Sequence, residues 1–184
     1  MLRHLWVATK MMVIVIVVLG ISQAAFPSAA NGSIVSVGGQ AAGSALIAQG
    51  FSSPKHFWSR PSAAGAGWEA SASAGSNLGP TSKTLFDTVQ GRVASATVEN
   101  PGLTTGTVPV DMVTASGSGL DPDISVANAL AQTPRVARAR GLSEDFVRKL
   151  VERYVQGRTL GFLGEPRVNV FTLNLALDGL KGSR

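Results

Sequence analysis

The chain has no cysteine among its 184 residues, so disulfides, thiolate zinc sites and cysteine nucleophiles are excluded. Histidine is nearly missing too, with only His4 and His56 present. A metal centre or a histidine-based triad would rest on the single imidazole beside Phe57 and Trp58, and a lone loop histidine is normally structural. No G-x-x-x-x-G-K-[ST] phosphate loop occurs, and Ser36 to Gln40 (SVGGQ) only faintly echoes the signature of transporter ATPases. Ser52 to Lys55 fits S-x-x-K, but no S-D-N or K-T-G follows, which argues against a serine hydrolase. Asp121 and Asp123 in LDPDIS begin like a calcium loop, yet Val126 and Gln132 replace its glycine and its glutamate. A turn leading into a helix cap explains the two aspartates better.

Charge is absent from Met11 until Lys55, whereas Arg3, His4 and Lys10 precede that run. Met11 to Phe26 would span roughly 24 Å as a helix, and adding Leu5 to Thr9 brings about 33 Å if Lys10 snorkels, enough for a ~30 Å hydrocarbon core. The positive-inside rule puts the N-terminus in the cytoplasm and the rest outside. A cleaved signal peptide, with Ser22 and Ala24 before the cut, fits the same residues. The residues alone leave both open. Either way the main domain is exported, which removes most of the weight from a nucleic-acid reading of the net charge of +5.

Beyond the apolar run, Asn31 to Gly43 reads as a turn, a short strand and a glycine-rich connection, and Ser44 to Gln49 as a second strand. Gly50 to Pro80 is rich in Ser, Gly, Ala and Pro but carries Phe51, Phe57, Trp58 and Trp68, so it reads as an irregular segment pinned by its rings. Leu85, Val89, Val93 and Ala96 give Thr81 to Glu99 a helical stripe that Asn100-Pro101 ends. Val108 to Ala115 reads as a strand. Ser125 caps a helix through Gln132, Pro134 opens a short helix that Gly141 ends, and Ser143 caps Glu144 to Gln156. Phe146, Val147, Leu150, Val151 and Tyr154 form the buried stripe of that last helix. Val168 to Leu177 alternates like a closing strand. The expected class is α+β: an anchor over residues 1–26 and one extracytoplasmic domain over 27–184.

Arg135, Arg138 and Arg140 crowd into QTPRVARARGL. Arg135 and Arg138 share a helical face, and holding two guanidinium groups on a stiff turn suits fixed acceptors. The expectation is a structural clamp by these two on the LDPDIS loop, with Asp121 and Asp123 as candidate acceptors, and on neighbouring carbonyls, with Arg140 facing outward.

Several segments run in an order found in one family: QAAFPSAANGS, GSALIAQGF, FWSRPSA, SAGSNLGPTS, VPVDMVTASGSGLDPDIS, QTPRVARARGL and GEPRVNVFTLNLALD. Across Gln23 to Asp178 the chain closely resembles the C subunit of the Kdp-type potassium-transporting ATPase. The resemblance implies a retained anchor and a non-catalytic subunit that assembles with a channel-like potassium-binding subunit, a P-type ATPase subunit and a small fourth peptide. The family is described as a catalytic chaperone that raises the ATP affinity of the ATPase subunit. An extracytoplasmic domain cannot reach cytoplasmic ATP, so such an effect would be transmitted through the complex. ATP and potassium are handled by the complex, and no cofactor, metal or catalytic residue is expected here. The residues taken as structural or partner-facing are Gly20, Gln23, Arg60, Asn77, Asp121, Gln132, Arg135, Arg138 and Asn169. Three departures stand out: no Tyr-Pro-Leu in the membrane segment, Lys10 within it, and Asp123 where many relatives carry His or Asn. The rival reading is a secreted binding module that uses the aromatic-rich Gly50 to Pro80 segment.

Overall fold

The computed structural model describes residues 2–180; Met1 and residues 181–184 of the expected domain lie outside the described residues. The chain forms two compact units, divided between Leu46 and Ile47.

In the first unit, helix α1 (Leu2–Ala25) has 24 residues, a length of about 36 Å. Among the described residues it is the one helix long and apolar enough to cross a membrane. Thr9 and Ser22 donate their hydroxyls to the carbonyls of Leu5 and Val18, so neither needs water within the helix. A short helix α2 (Pro27–Ala30) leads to a hairpin of β1 (Ile34–Val37) and β2 (Gln40–Ser44). Gly38 and Gly39 turn it with φ of 59° and 80°, the left-handed geometry that a two-residue hairpin loop favours. That turn pairs Val37 with Gln40 and Ile34 with Ser44, so the second strand precedes the expected Ser44 to Gln49.

The second unit mixes helices with a small antiparallel sheet. Its elements are α3 (Lys83–Glu99), α4 (Val110–Val113), β3 (Asp123–Ser125), α5 (Val126–Arg140), α6 (Glu144–Arg153), β4 (Val155–Gln156), β5 (Arg167–Asn169) and α7 (Val170–Gly179). The strand order is β3-β5-β4. Ser82, Ser125, Ser143 and Asn169 each cap the following helix by accepting a backbone N–H from three residues on. Phe57, Ile124, Val136, Val147, Val151, Val168, Leu173 and Leu177 meet in one core.

Four expectations are corrected. Val108 to Ala115 contains the single helical turn α4 in place of a strand: Pro109 accepts from Met112 N and Val110 from Thr114 N. Helix α5 runs unbroken through Pro134. The proline removes one i→i−4 bond, but the buried Gln132, Thr133 and Arg135 beside it are held by outside partners and their own turn, and this outweighs the loss. Helix α6 ends at Arg153, since Val155 and Gln156 pair with β5, and Phe146 remains 44% exposed. Most of Val168 to Leu177 is helix α7. The run VFTLNLAL satisfies both periods, and what decides is the Asn169 cap with Val170, Leu173, Asn174 and Leu177 buried at i, i+3, i+4, i+7.

The start of α5 is fixed by a residue of α4. The Asp111 carboxylate accepts from Ser125 N at 2.7 Å, Ser125 Oγ at 2.8 Å and Asn128 Nδ2 at 3.0 Å. Removing it strands three donors, two of them in the cap itself. Asp111→Ala is expected to lower the unfolding free energy by about 2–3 kcal/mol, measured by urea titration of tryptophan fluorescence. An unchanged midpoint would show that water replaces the carboxylate without cost.

Candidate functional site

Residues 50–80 form no strand and only one 3-10 turn, Ala70–Ala72. A backbone without a ladder must find partners elsewhere or lose stability. Here the side chains of α5 and α7 provide them, residue by residue. Arg135 Nη1 donates to the carbonyls of Pro54 at 2.9 Å and His56 at 3.0 Å. Arg140 donates to the carbonyl of Lys55. The Asn174 amide accepts from Phe57 N at 2.8 Å and donates to Phe57 O at 2.9 Å. The Gln132 amide does the same for Trp58, at 2.7 and 3.1 Å. Every residue from Pro54 to Trp58 is therefore gripped through its main chain.

The gripping groups are themselves fixed. Arg135 stacks on the Trp58 ring, its guanidinium carbon 3.6 Å from the centroid, and bonds Asn100 Oδ1 at 3.0 Å and Gln132 Oε1 at 2.6 Å. Gln132 donates to Asn128 Oδ1, and Asn128 donates to Asp111, which links the clasp to the start of α5. Burial lowers the Arg135 pKa to about 10, against the opposing pull of Glu99, so the group keeps its charge at neutral pH.

Arg140 also bonds Leu177 O at 2.9 Å and Asp178 Oδ1 at 2.8 Å, and His56 Nε2 lies 3.1 Å from Asp178 Oδ2. Burial works to raise the Asp178 carboxyl, but the hydrogen bonds and positive charges of Arg140 and His56 prevail and hold it below its usual value. Its contribution to stability is thus present above the unfolded carboxylate pKa of about 3.9 and lost as pH falls through the lower folded value.

Serines pin the rest of the segment. Ser62 Oγ donates to Gly119 O, and Ser73 Oγ to Ser118 O. Gly119 has φ 69°, and a Cβ there would stand 2.7 Å from Ala64 N and Ala74 O, so only glycine lets the two chains approach.

Beside the clasp lies a cleft of about 340 Å³, walled by Phe51, Trp58, Trp68 and Met112, with Arg92 and Glu99 at its charged side. Arg92 already donates to Val113 O at 2.9 Å, and its burial lowers its pKa. The amides at the floor are held by the network just described. The cleft thus presents aromatic rings beside one acid and one base, with Ser59, Ser62 and Ser95 also in its lining.

The sequence profile of the KdpC family, described as the c chain of the K+-transporting ATPase, matches residues 1–179. The chain is 55% identical to the potassium-transporting ATPase KdpC subunit of Caulobacter vibrioides over 162 residues, covering 88% of this chain and 81% of that one. It is 54% identical to the subunit of the same name from Janthinobacterium sp., over 88% of this chain and 85% of the relative. For that of Koribacter versatilis the identity is 52%, over 89% and 83%. The chain belongs to the KdpC family. A secreted binding module finds no support in these matches, which include the N-terminal segment.

Against the sequence expectations, the structure unites Gln132 and Arg135 but directs them at the 54–58 segment, not at LDPDIS. Asp121 pairs with Arg60 at 3.0 Å and Asp123 with Arg167 at 2.9 Å, so neither aspartate meets Arg135. Burial raises the Asp123 carboxyl despite the Arg167 charge. The roles of the other arginines are reversed: Arg140 turns inward, its side chain 4% exposed, while Arg138 is exposed. The reason is register, since Arg135 and Arg140 both meet the 54–58 segment whereas Arg138 falls on the outer face. Asn169 caps α7. Asn77 is exposed with φ 51°. Gly20 and Gln23 lie on α1, and a Cβ at Gly20 would meet nothing within 4 Å.

Asn100, Asp111 and Asn174 were missed. A signal existed for the last: an amide within VFTLNLAL must find a buried partner.

Truncating Arg135 would leave two loop carbonyls and two amide oxygens short of a donor. Arg135→Ala is expected to cost about 2–4 kcal/mol of unfolding free energy, and Arg138→Ala under about 0.5, both by urea titration. Equal effects from the two would contradict the assignment.

Proposed function

We propose that this chain is the accessory, non-catalytic subunit of an ATP-driven potassium importer, held in the cell membrane by α1 with its N-terminus in the cytoplasm. On this reading it assembles with a channel-like potassium-binding subunit, a P-type ATPase subunit and a small fourth peptide, and stabilises their assembly. Any effect on ATP affinity passes through the complex, because the second unit and the nucleotide lie on opposite sides of the bilayer. The observation that carries the reading is the KdpC match across residues 1–179. The charge pattern supports the orientation, with Arg3, His4 and Lys10 before the apolar run and nothing charged after it until Lys55. Gly20 and Ser22 let another helix approach α1 closely, with Gln23 near its outer end.

In gently solubilised membranes, tagged chain is expected to bring down a potassium-binding subunit and a P-type ATPase subunit, and Gly20→Leu to reduce their yield. Recovery of a soluble, partnerless chain that begins near Ala25 would contradict the reading. An unaffected yield with Gly20→Leu would remove that packing face. The chain has no cysteine, so Val98→Cys, at a position 84% exposed, adds a unique thiol. A membrane-impermeant maleimide is expected to label it in intact spheroplasts; labelling only after lysis would reverse the orientation.

A further inference from the structure

Between β4 and β5 the chain does not turn directly. It extends into a small hairpin, residues 158–165 (RTLGFLGE), whose tip carries three large apolar side chains in the open: Leu160 at 79% exposure, Phe162 at 68% and Leu163 at 49%. Such a cluster on a loop is costly in water and unusual unless something covers it.

The hairpin is built to hold its shape. Thr159 and Leu163 exchange both backbone bonds, each at 2.9 Å. Arg158 and Glu165 close its base with an ion pair at 2.7 Å. Gly161 and Gly164 have φ of 84° and 76°, and Leu160 itself stands at φ 55°. A leucine in the left-handed region is strained, and glycine or asparagine would sit there more easily. Backbone strain at a residue this exposed points to a role outside the fold's own packing. The base is carried by the sheet, where Val155 pairs with Val168 and Gln156 with Arg167, so the tip inherits a rigid platform.

Two occupants could cover such a tip, a bilayer surface or a protein pocket. An anionic bilayer favours basic residues beside the apolar ones and needs no fixed shape. Residues 157–166 contain one base and one acid, paired with each other, and no lysine. Zero net charge and a rigid, strained presentation fit a shaped apolar pocket, where preorganised anchors lose little entropy on docking.

We infer that the 158–165 hairpin is a docking knob whose Leu160 and Phe162 side chains insert into an apolar pocket on a partner protein subunit. The inference rests on the proposed membership of a transport complex and names a second contact, besides α1, through which this chain joins it. The test uses the full-length chain co-expressed with the potassium-binding and ATPase subunits, comparing wild type, Leu160→Asn and the double variant Leu160→Asn/Phe162→Ser. Because asparagine suits the left-handed position, Leu160→Asn should leave the thermal midpoint unchanged or raise it. It should nevertheless reduce partner retention on the affinity resin, and the double variant should reduce it about tenfold or more. Wild-type retention by the double variant overturns the knob while leaving the complex intact. Loss of binding to liposomes of the host lipids, with partners retained, overturns it in favour of the bilayer. If wild-type chain retains no partner, the complex reading itself fails and the knob falls with it. A drop in midpoint with Leu160→Asn that matches its loss of partners makes the hairpin a folding element and also overturns the proposal.

Discussion

The guanidinium of Arg135 meets two loop carbonyls, two side-chain amide oxygens and the face of Trp58 at once. It does so because the 54–58 segment carries backbone groups that no strand or helix satisfies. Arginine suits this position because its planar fork reaches several acceptors without changing rotamer, and it holds its charge even when burial lowers its pKa. Lysine could reach some of these oxygens but could not lie flat on the ring.

Other parts of the second unit follow from keeping that fork in place. Gln132 is one helical turn before Arg135 and pinches Trp58, whereas Asn174 reaches Phe57 from α7. Asp111 fixes the first turn of α5 through Ser125 and Asn128, and the Asn128 amide passes this constraint on to Gln132. Leaving Pro134 inside the helix is tolerable because residues on both sides of it are tied down. With Phe57 seated in the core, the aromatic-rich segment becomes one wall of the cleft, held without regular structure of its own.

Much of this was legible in the sequence, for reasons that differ by element. The apolar run from Met11, the serine caps at Ser125 and Ser143 and the stripe from Leu85 to Ala96 are local signals, and local signals survive tertiary packing. Phe51, Phe57, Trp58 and Trp68 identified a pinned segment but not what pins it. The failures arose where one pattern served two periods, as in VFTLNLAL, or where a breaker was overruled by contacts distant in sequence, as at Pro134. The arginine cluster is plain in the sequence, but its target is not. Asp121 and Asp123 looked like its acceptors because charge is easy to see in a sequence, whereas the carbonyls of Pro54, Lys55 and His56 are invisible in one. Family membership came from ordered motifs, and no single side chain would have revealed it.

The central claim is that side chains of α5 and α7 hold the 54–58 backbone as firmly as a sheet would. Amide hydrogen exchange of the detergent-solubilised full chain tests it at two donors, Phe57 N and Trp58 N, which bond Asn174 and Gln132. The account predicts that both exchange as slowly as the core amides of α5, opening only with the whole unit. Exchange of these two amides at the rate of an open loop, while α5 stays protected, would contradict it.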